Sequence, residues 1–288
     1  MGLRLRMCAA IAVALFSQNL FAADEKPKPQ PREQAWQVLD DGLAESAAQK
    51  RMEAVKALSL LSGERRATRL ALRRLTDDNF LVRTAAATTL GQLHATTAIP
   101  QLKEALSDKR ISVVLAAAQA LYVLHDKSAY GVYYAILMGD RKTGDGMIQS
   151  QMDRLKDPKQ MAELGFKEGL GFVPYGGLGF EAYKNMSKKD DWVARAAAAR
   201  FLAHDVDPMS GDALIQIALT DKSTEVRQAA LDALAERGDP SCIERLQRNL
   251  DDDKAAVRYR TAAVILHLSD LAGKLKPKEK PPSPTVQP

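Results

Sequence analysis

The sequence predicts an all-α fold, an α-solenoid or superhelix of stacked antiparallel helix pairs. Three observations carry that reading. A short string recurs along the 288 residues: an acidic turn, then Val-Arg, then small residues, then leucine. Its copies are 31 or 32 residues apart, apart from one gap of 81. Within each copy the apolar residues follow helical spacing, as at Val226, Ala229, Ala230, Ala233 and Leu234. A fixed period of this size is the signature of a repeat array, and one helix pair cannot bury its own apolar stripe without a neighbour.

The copies read DDNFLVRTAAATTL (77–90), DKRISVVLAAAQAL (108–121), KDDWVARAAAARFL (189–202), DKSTEVRQAALDAL (221–234) and DDDKAAVRYRTAAVI (251–265), with a weaker QKRMEAVKALSLL at 49–61. The arginine column is Arg51, Arg83, Arg195, Arg227 and Arg258, replaced once by Val114. Between these helices lie shorter first helices such as AIPQLKEALSD (98–108) and SCIERLQRNLDD (241–252). Pro100, Pro208 and Pro240 fall near their starts, where a missing N–H matters least. Alanine on the inner face allows close approach.

This Asp-x4-Val-Arg-x-x-Ala-Ala-x-x-x-Leu pattern resembles HEAT repeats, and its short period is similar to that of the phycobilisome bilin lyases. The resemblance covers roughly residues 35–271. It implies that the acidic residue caps a helix or binds loop amides and that the arginine pairs with such a residue across a turn. Asp77, Asp108, Asp221 and Asp252, with Arg83, Arg227 and Arg258, are assigned to this structural ladder. Recurrence in every unit argues against catalysis by them.

The first residues, MGLRLRMCAAIAVALFSQNLFAADE, have the layout of a secretory signal (1–23): Arg4 and Arg6, an apolar run from Met7 to Phe16, and the small pair Ala22-Ala23. The run falls short of the roughly 20 apolar residues of a spanning helix. Export to the periplasm or outside the cell, with cleavage near Ala22-Ala23, is expected. A proline- and lysine-rich linker (24–34) and tail (274–288) lack the apolar residues that repay ordering. The domain order is then N-terminal repeats (35–126), a degenerate repeat with an insertion (127–190) and C-terminal repeats (191–273).

The net charge of +5 falls to about +3 without the signal, and lysine and arginine form no stripe on the second helices, so no nucleic-acid partner is expected. Cys242 alone remains of two cysteines, which excludes an intrachain disulfide, and its helical position suggests burial. His94, His125, His204 and His267 all lie at ends of second helices, where a cation is favourable. No His-Glu pair of the kind used by the HEAT-repeat di-iron hydroxylase is present. No metal, cofactor or catalytic constellation is expected. GLGFEA (177–182) follows no strand, which removes the dinucleotide reading.

The segment GFKEGLGFVPYGGLGF (165–180) interrupts the helices with six glycines and four aromatics. Its rings could plug a break in the stack, be offered to a partner, or make weak peripheral contact with a membrane. The candidate partner-binding residues are Phe172, Tyr175, Phe180 and Tyr183 here, with Tyr122 and Tyr259 on the second-helix face one, five and eight residues after the arginine column. That face also carries Gly91, Leu115, Asp232 and Leu266 and reads as either a peptide groove or an inter-repeat contact. The expected function is an exported, non-enzymatic scaffold for protein or peptide partners. A lyase- or chaperone-like factor related to the bilin lyases, or a structural cell-envelope protein, is the alternative.

Overall fold

The computed structural model describes residues 30–137 and 192–275. The first stretch forms α1 (Pro31–Ala44), α2 (Ala48–Ala57), α3 (Arg65–Arg73), α4 (Phe80–Gln92), α5 (Ile99–Ala105), α6 (Ile111–Val123) and α7 (Ser128–Leu137). The second forms α8 (Trp192–Leu202), α9 (Pro208–Thr220), α10 (Thr224–Arg237), the short α11 (Ile243–Leu246) and α12 (Ala255–Leu275). Tight 3-10 turns extend several of them, and the described residues contain no strand. The fold is the all-α solenoid that the repeats specify.

Local chemistry sets the helix ends. Asn79 and Ser223 cap α4 and α10 by accepting the N–H groups of Leu81 and Val226. Pro208 opens α9 beside the Asp207 cap. Pro31 opens α1 four residues before the expected boundary at 35, so the helix begins inside the segment read as linker. Gly238 ends α10 at φ 69°, in the left-handed region that glycine enters without steric cost. At His94, 144 residues earlier, the same turn is made by a histidine at φ 51°.

That turn yields a prediction. A side chain in the left-handed region costs roughly 1–2 kcal/mol, and glycine recovers it at an unfolded-state cost of about 0.4–1 kcal/mol. His94→Gly should therefore stabilise the protein by about 0.5 to 1 kcal/mol. An unchanged or lowered urea midpoint would show that His94 carries a compensating contact.

The offset of 144 is general. Arg51, Arg83 and Val114 match Arg195, Arg227 and Arg258, and Asp77 and Asp108 match Asp221 and Asp252. The chain is thus two blocks of similar repeats. Their order in space differs from their order in sequence. Second helices pack side by side in the order α8, α10, α12, α2, α4, α6, and α1 lies against α12 as well as α2. The end of the second block docks on the start of the first. An insertion at the middle of the solenoid was expected between the blocks. That segment lies outside the described residues; α7 and α8, which flank it in sequence, stand at opposite ends of the described array, and the seam at its middle joins α12 to α1 and α2.

The seam is closely packed and paired. Tyr259 of α12 is 2% exposed, and a Cβ on Gly42 of α1 would lie 2.5 Å from its ring. Arg32 pairs with Asp270 and with Glu64, the latter at 3.4 Å. Arg260 bonds Asp232 in its own block and donates to Ser59 Oγ, 3.2 Å away, in the other. Asp232, on the second-helix face, therefore belongs to the seam's support.

Candidate functional site

The ladder comes first, because it fixes what the remaining side chains are free to do. Each arginine of the column reaches the aspartate of the following repeat: Arg51 to Asp77 at 2.8 Å, Arg83 to Asp108 at 2.7 Å, Arg195 to Asp221 and Arg227 to Asp252. Arg51 and Arg83 also donate through Nη1 to carbonyls of their own acidic loop, Glu45 and Ser46 in one case, Asp77 and Asp78 in the other. Each aspartate in turn accepts the N–H two residues on, as Asp77 does from Asn79 at 3.0 Å and Asp108 from Arg110 at 2.8 Å. The acidic residue binds loop amides and leaves the capping to Asn79 or Ser223. One arginine thus clamps its own loop and the next.

Burial pushes the Asp77 carboxyl up, but the Arg51 guanidinium and the Asn79 N–H outweigh it and hold it at about 2. Asp108 is lowered against the same burial by Arg83 and the Arg110 N–H. Such shifts accompany active sites and structural networks alike. Here each is explained by a contact that repeats along the array. Arg258, the last of the column, has no aspartate at the ladder spacing of 25 or 26 residues. It donates to the Asp252 carbonyl and lies 5.1 Å from the centroid of the Tyr259 ring.

The second-helix face resolves into an inter-repeat contact. Gly91 is buried, with Ala120 Cα 3.0 Å from where its Cβ would be, and Tyr259 and Leu266 are buried as well. Tyr259 is therefore withdrawn as a partner-binding residue: Gly42 makes room for its ring within the chain. Tyr122 differs. It is 51% exposed and meets Tyr130 edge-on, with centroids 6.1 Å apart. Phe172, Tyr175, Phe180 and Tyr183, and the membrane contact considered for 165–180, lie outside the described residues.

The offset of 144 explains why Tyr122 is open. Leu115 and Tyr122 are the counterparts of Tyr259 and Leu266, which the seam covers. Leu115 and Tyr122 stand on α6 at one end of the described array. At the other end Phe201 is 81% exposed, with Val206 and Met209 beside it in sequence also exposed. Among the described residues the large exposed apolar side chains all fall on these two ends.

Cys242 is buried, and burial pushes its thiol up to about 11, which keeps it protonated and unreactive at neutral pH. Among the described residues no group of three or more His, Cys, Asp or Glu side chains is placed to hold a metal ion, and no helix is long and apolar enough to cross a membrane.

Sequence reading missed two features. The first is the seam, which no repeat column encodes. The second is the run of arginines Arg65, Arg66, Arg69 and Arg73 on α3, with Arg74 just after it, plain in the sequence but carried by a first helix. Arg66 pairs with Asp40 and lies 4.3 Å over the Trp36 ring, and Arg74 pairs with Asp77 at 3.6 Å. Arg65, Arg69 and Arg73 are exposed. Together with Asp40 and Leu70, Arg66, Arg69 and Arg73 line an open cavity of about 550 Å³.

The helix pairs, their close alanine packing and the cross-repeat aspartate–arginine ladder define the class of helical-repeat solenoid proteins. The model for HEAT repeats matches residues 36–122 and 182–266, and the chain belongs to that family. No protein of the curated set matches it in sequence. Among solved structures it is similar to human deoxyhypusine hydroxylase, at 18% identity over 83% of this chain and 97% of that one, with a TM-score of 0.33. It is also similar to the complex of CpcE and CpcF of phycocyanin lyase from Nostoc, at 19% identity over 89% and 98%, with a TM-score of 0.31.

Proposed function

We propose that the chain is an exported, non-enzymatic scaffold that binds a protein or peptide partner. The family supports the coarse part of this reading, since HEAT repeats generally mediate protein interactions. The observation that carries the rest is the placement of exposed apolar side chains. Among the described residues they fall at the two ends of the described array, whose interior is tied repeat to repeat, and exposed apolar side chains on such a frame suit partner binding. Export rests on the N-terminal apolar run and Ala22-Ala23.

Capture from cell-envelope extract by the tagged protein tests the reading. Tyr122→Ser/Tyr130→Ser should keep the wild-type melting temperature, because both rings are exposed, and should lose a protein that the wild type retains. A parallel variant, Phe172→Ser/Tyr175→Ser/Phe180→Ser, reports on the glycine-rich segment in the same assay. Capture that is identical for both variants and the wild type would overturn the partner reading. Intact Met1-containing protein in the cytosol, seen by mass spectrometry, would overturn export.

A further inference from the structure

We propose that the arginine face of α3 is a docking site for an acidic polypeptide segment, separate from the array ends and resting on the scaffold reading only in taking the occupant to be a polypeptide. Arg65, Arg69 and Arg73 follow one another at intervals of four, so their stems lie about 6 Å apart along one face of the helix. Like charges at this spacing destabilise a helix. None of the three has an ion-pair partner among the described residues, whereas Arg66 and Arg74 beside them are paired. The three guanidinium groups thus present unneutralised planar forks suited to carboxylates.

The surroundings select the occupant. Half-buried Leu70 lies in the cavity between Arg66, Arg69 and Arg73 and offers one apolar contact. Asp40 closes the cavity on the α1 side, and Asp41 and Glu104 are exposed on the neighbouring first helices. The basic row spans about 12 Å. A nucleic-acid backbone or a sheet of anionic lipid laid over it would extend beyond the row onto these carboxylates. A short acidic stretch with carboxylates at matching intervals and one apolar residue fits within it. The net charge of the whole chain is too small to hold a polyanion without such a local site.

The test is fluorescence anisotropy of a fluorescein-labelled peptide of eight glutamates and one central leucine, titrated with the full chain. Binding at low salt is expected, weakening by about tenfold or more as salt rises severalfold, because the contacts are ionic. Arg65→Gln/Arg69→Gln/Arg73→Gln should reduce affinity by about tenfold or more while melting no lower than the wild type, since like-charge repulsion is relieved. Arg69→Glu alone should show the same direction, and Arg248→Gln, an exposed arginine on another repeat, should bind as the wild type does. Unchanged affinity in the triple variant overturns the proposal. So does equally tight, equally arginine-dependent binding of a 20-nucleotide single-stranded DNA or of phosphatidylglycerol vesicles. The Tyr122/Tyr130 capture assay is a separate readout, so failure of the scaffold reading is distinguishable from failure of this site.

Discussion

Asp77→Ala is expected to lower the unfolding free energy by about 3 kcal/mol, because it removes the buried counter-ion of the Arg51 guanidinium and leaves it only the exposed Asp78 carboxylate, 2.5 Å away. The Arg51 and Asp77 side chains are 10% and 3% exposed, and the pair is bidentate, with Nε and Nη2 of Arg51 on the two carboxylate oxygens. Arg51→Met/Asp77→Leu should recover only part of the loss, since Arg51 also satisfies the Glu45 and Ser46 carbonyls. The pair also makes stability depend on pH. The folded-state carboxyl is held at about 2, below its ordinary value of 3.8. A depressed acid contributes fully above its unfolded pKa and loses the contribution as pH falls through the folded one. The window is therefore about pH 4 down to 2, and the contribution is on the order of 2 kcal/mol. Urea midpoints should show the wild type losing stability across that window faster than Asp77→Asn. Parallel curves would mean that the carboxylate is not held as its contacts indicate.

The ladder was legible because it is periodic. Asp77, Asp108, Asp221 and Asp252 announce themselves by recurring six residues before the arginine column, where Val114 stands in for arginine after Asp108, and the physics that selects them is the same in each unit. The partner of each arginine was less plain. Spacing alone cannot show that Arg51 reaches forward 26 residues to Asp77 while clamping its own loop behind it. The seam was not legible at all. Repeat columns describe neighbours in the chain, whereas α12 meets α1 and α2 from the far end of the sequence. Its only local trace is Gly42, a glycine inside a helix that otherwise costs about 1 kcal/mol relative to alanine. Tyr259 and Tyr122 were grouped by register as partner-binding residues. Register gives the face, but which face remains open depends on what stacks next, and that differs between the two blocks. The aromatic positions Phe180 and Tyr183 fall, at the offset of 144, on Trp36 and Leu39, both buried in α1.

Gly42→Leu is the second change with a large expected effect, about 3 kcal/mol or more, at the upper end of what overpacking a closed contact costs. A Cβ at this position would stand 2.5 Å from Tyr259 Cε1 and 3.0 Å from Ala54 Cβ, so the new side chain has nowhere to go without moving α1 from α12. Helix propensity runs the other way, since leucine is the better helix former by roughly 1 kcal/mol, and a net loss therefore reports on the seam and not on α1. Tyr259→Ala should itself cost about 3 to 5 kcal/mol, as large-to-small changes of buried rings do. Combined with Gly42→Leu it should cost at least 1 kcal/mol less than the sum, because the leucine enters the space the ring leaves. The seam also couples the blocks. In a repeat array cooperativity passes through nearest-neighbour interfaces, so loosening this one should split a single urea transition into two. Strict additivity of the pair, together with one unshifted transition in Gly42→Leu, would show that the two blocks do not meet through Gly42 and Tyr259.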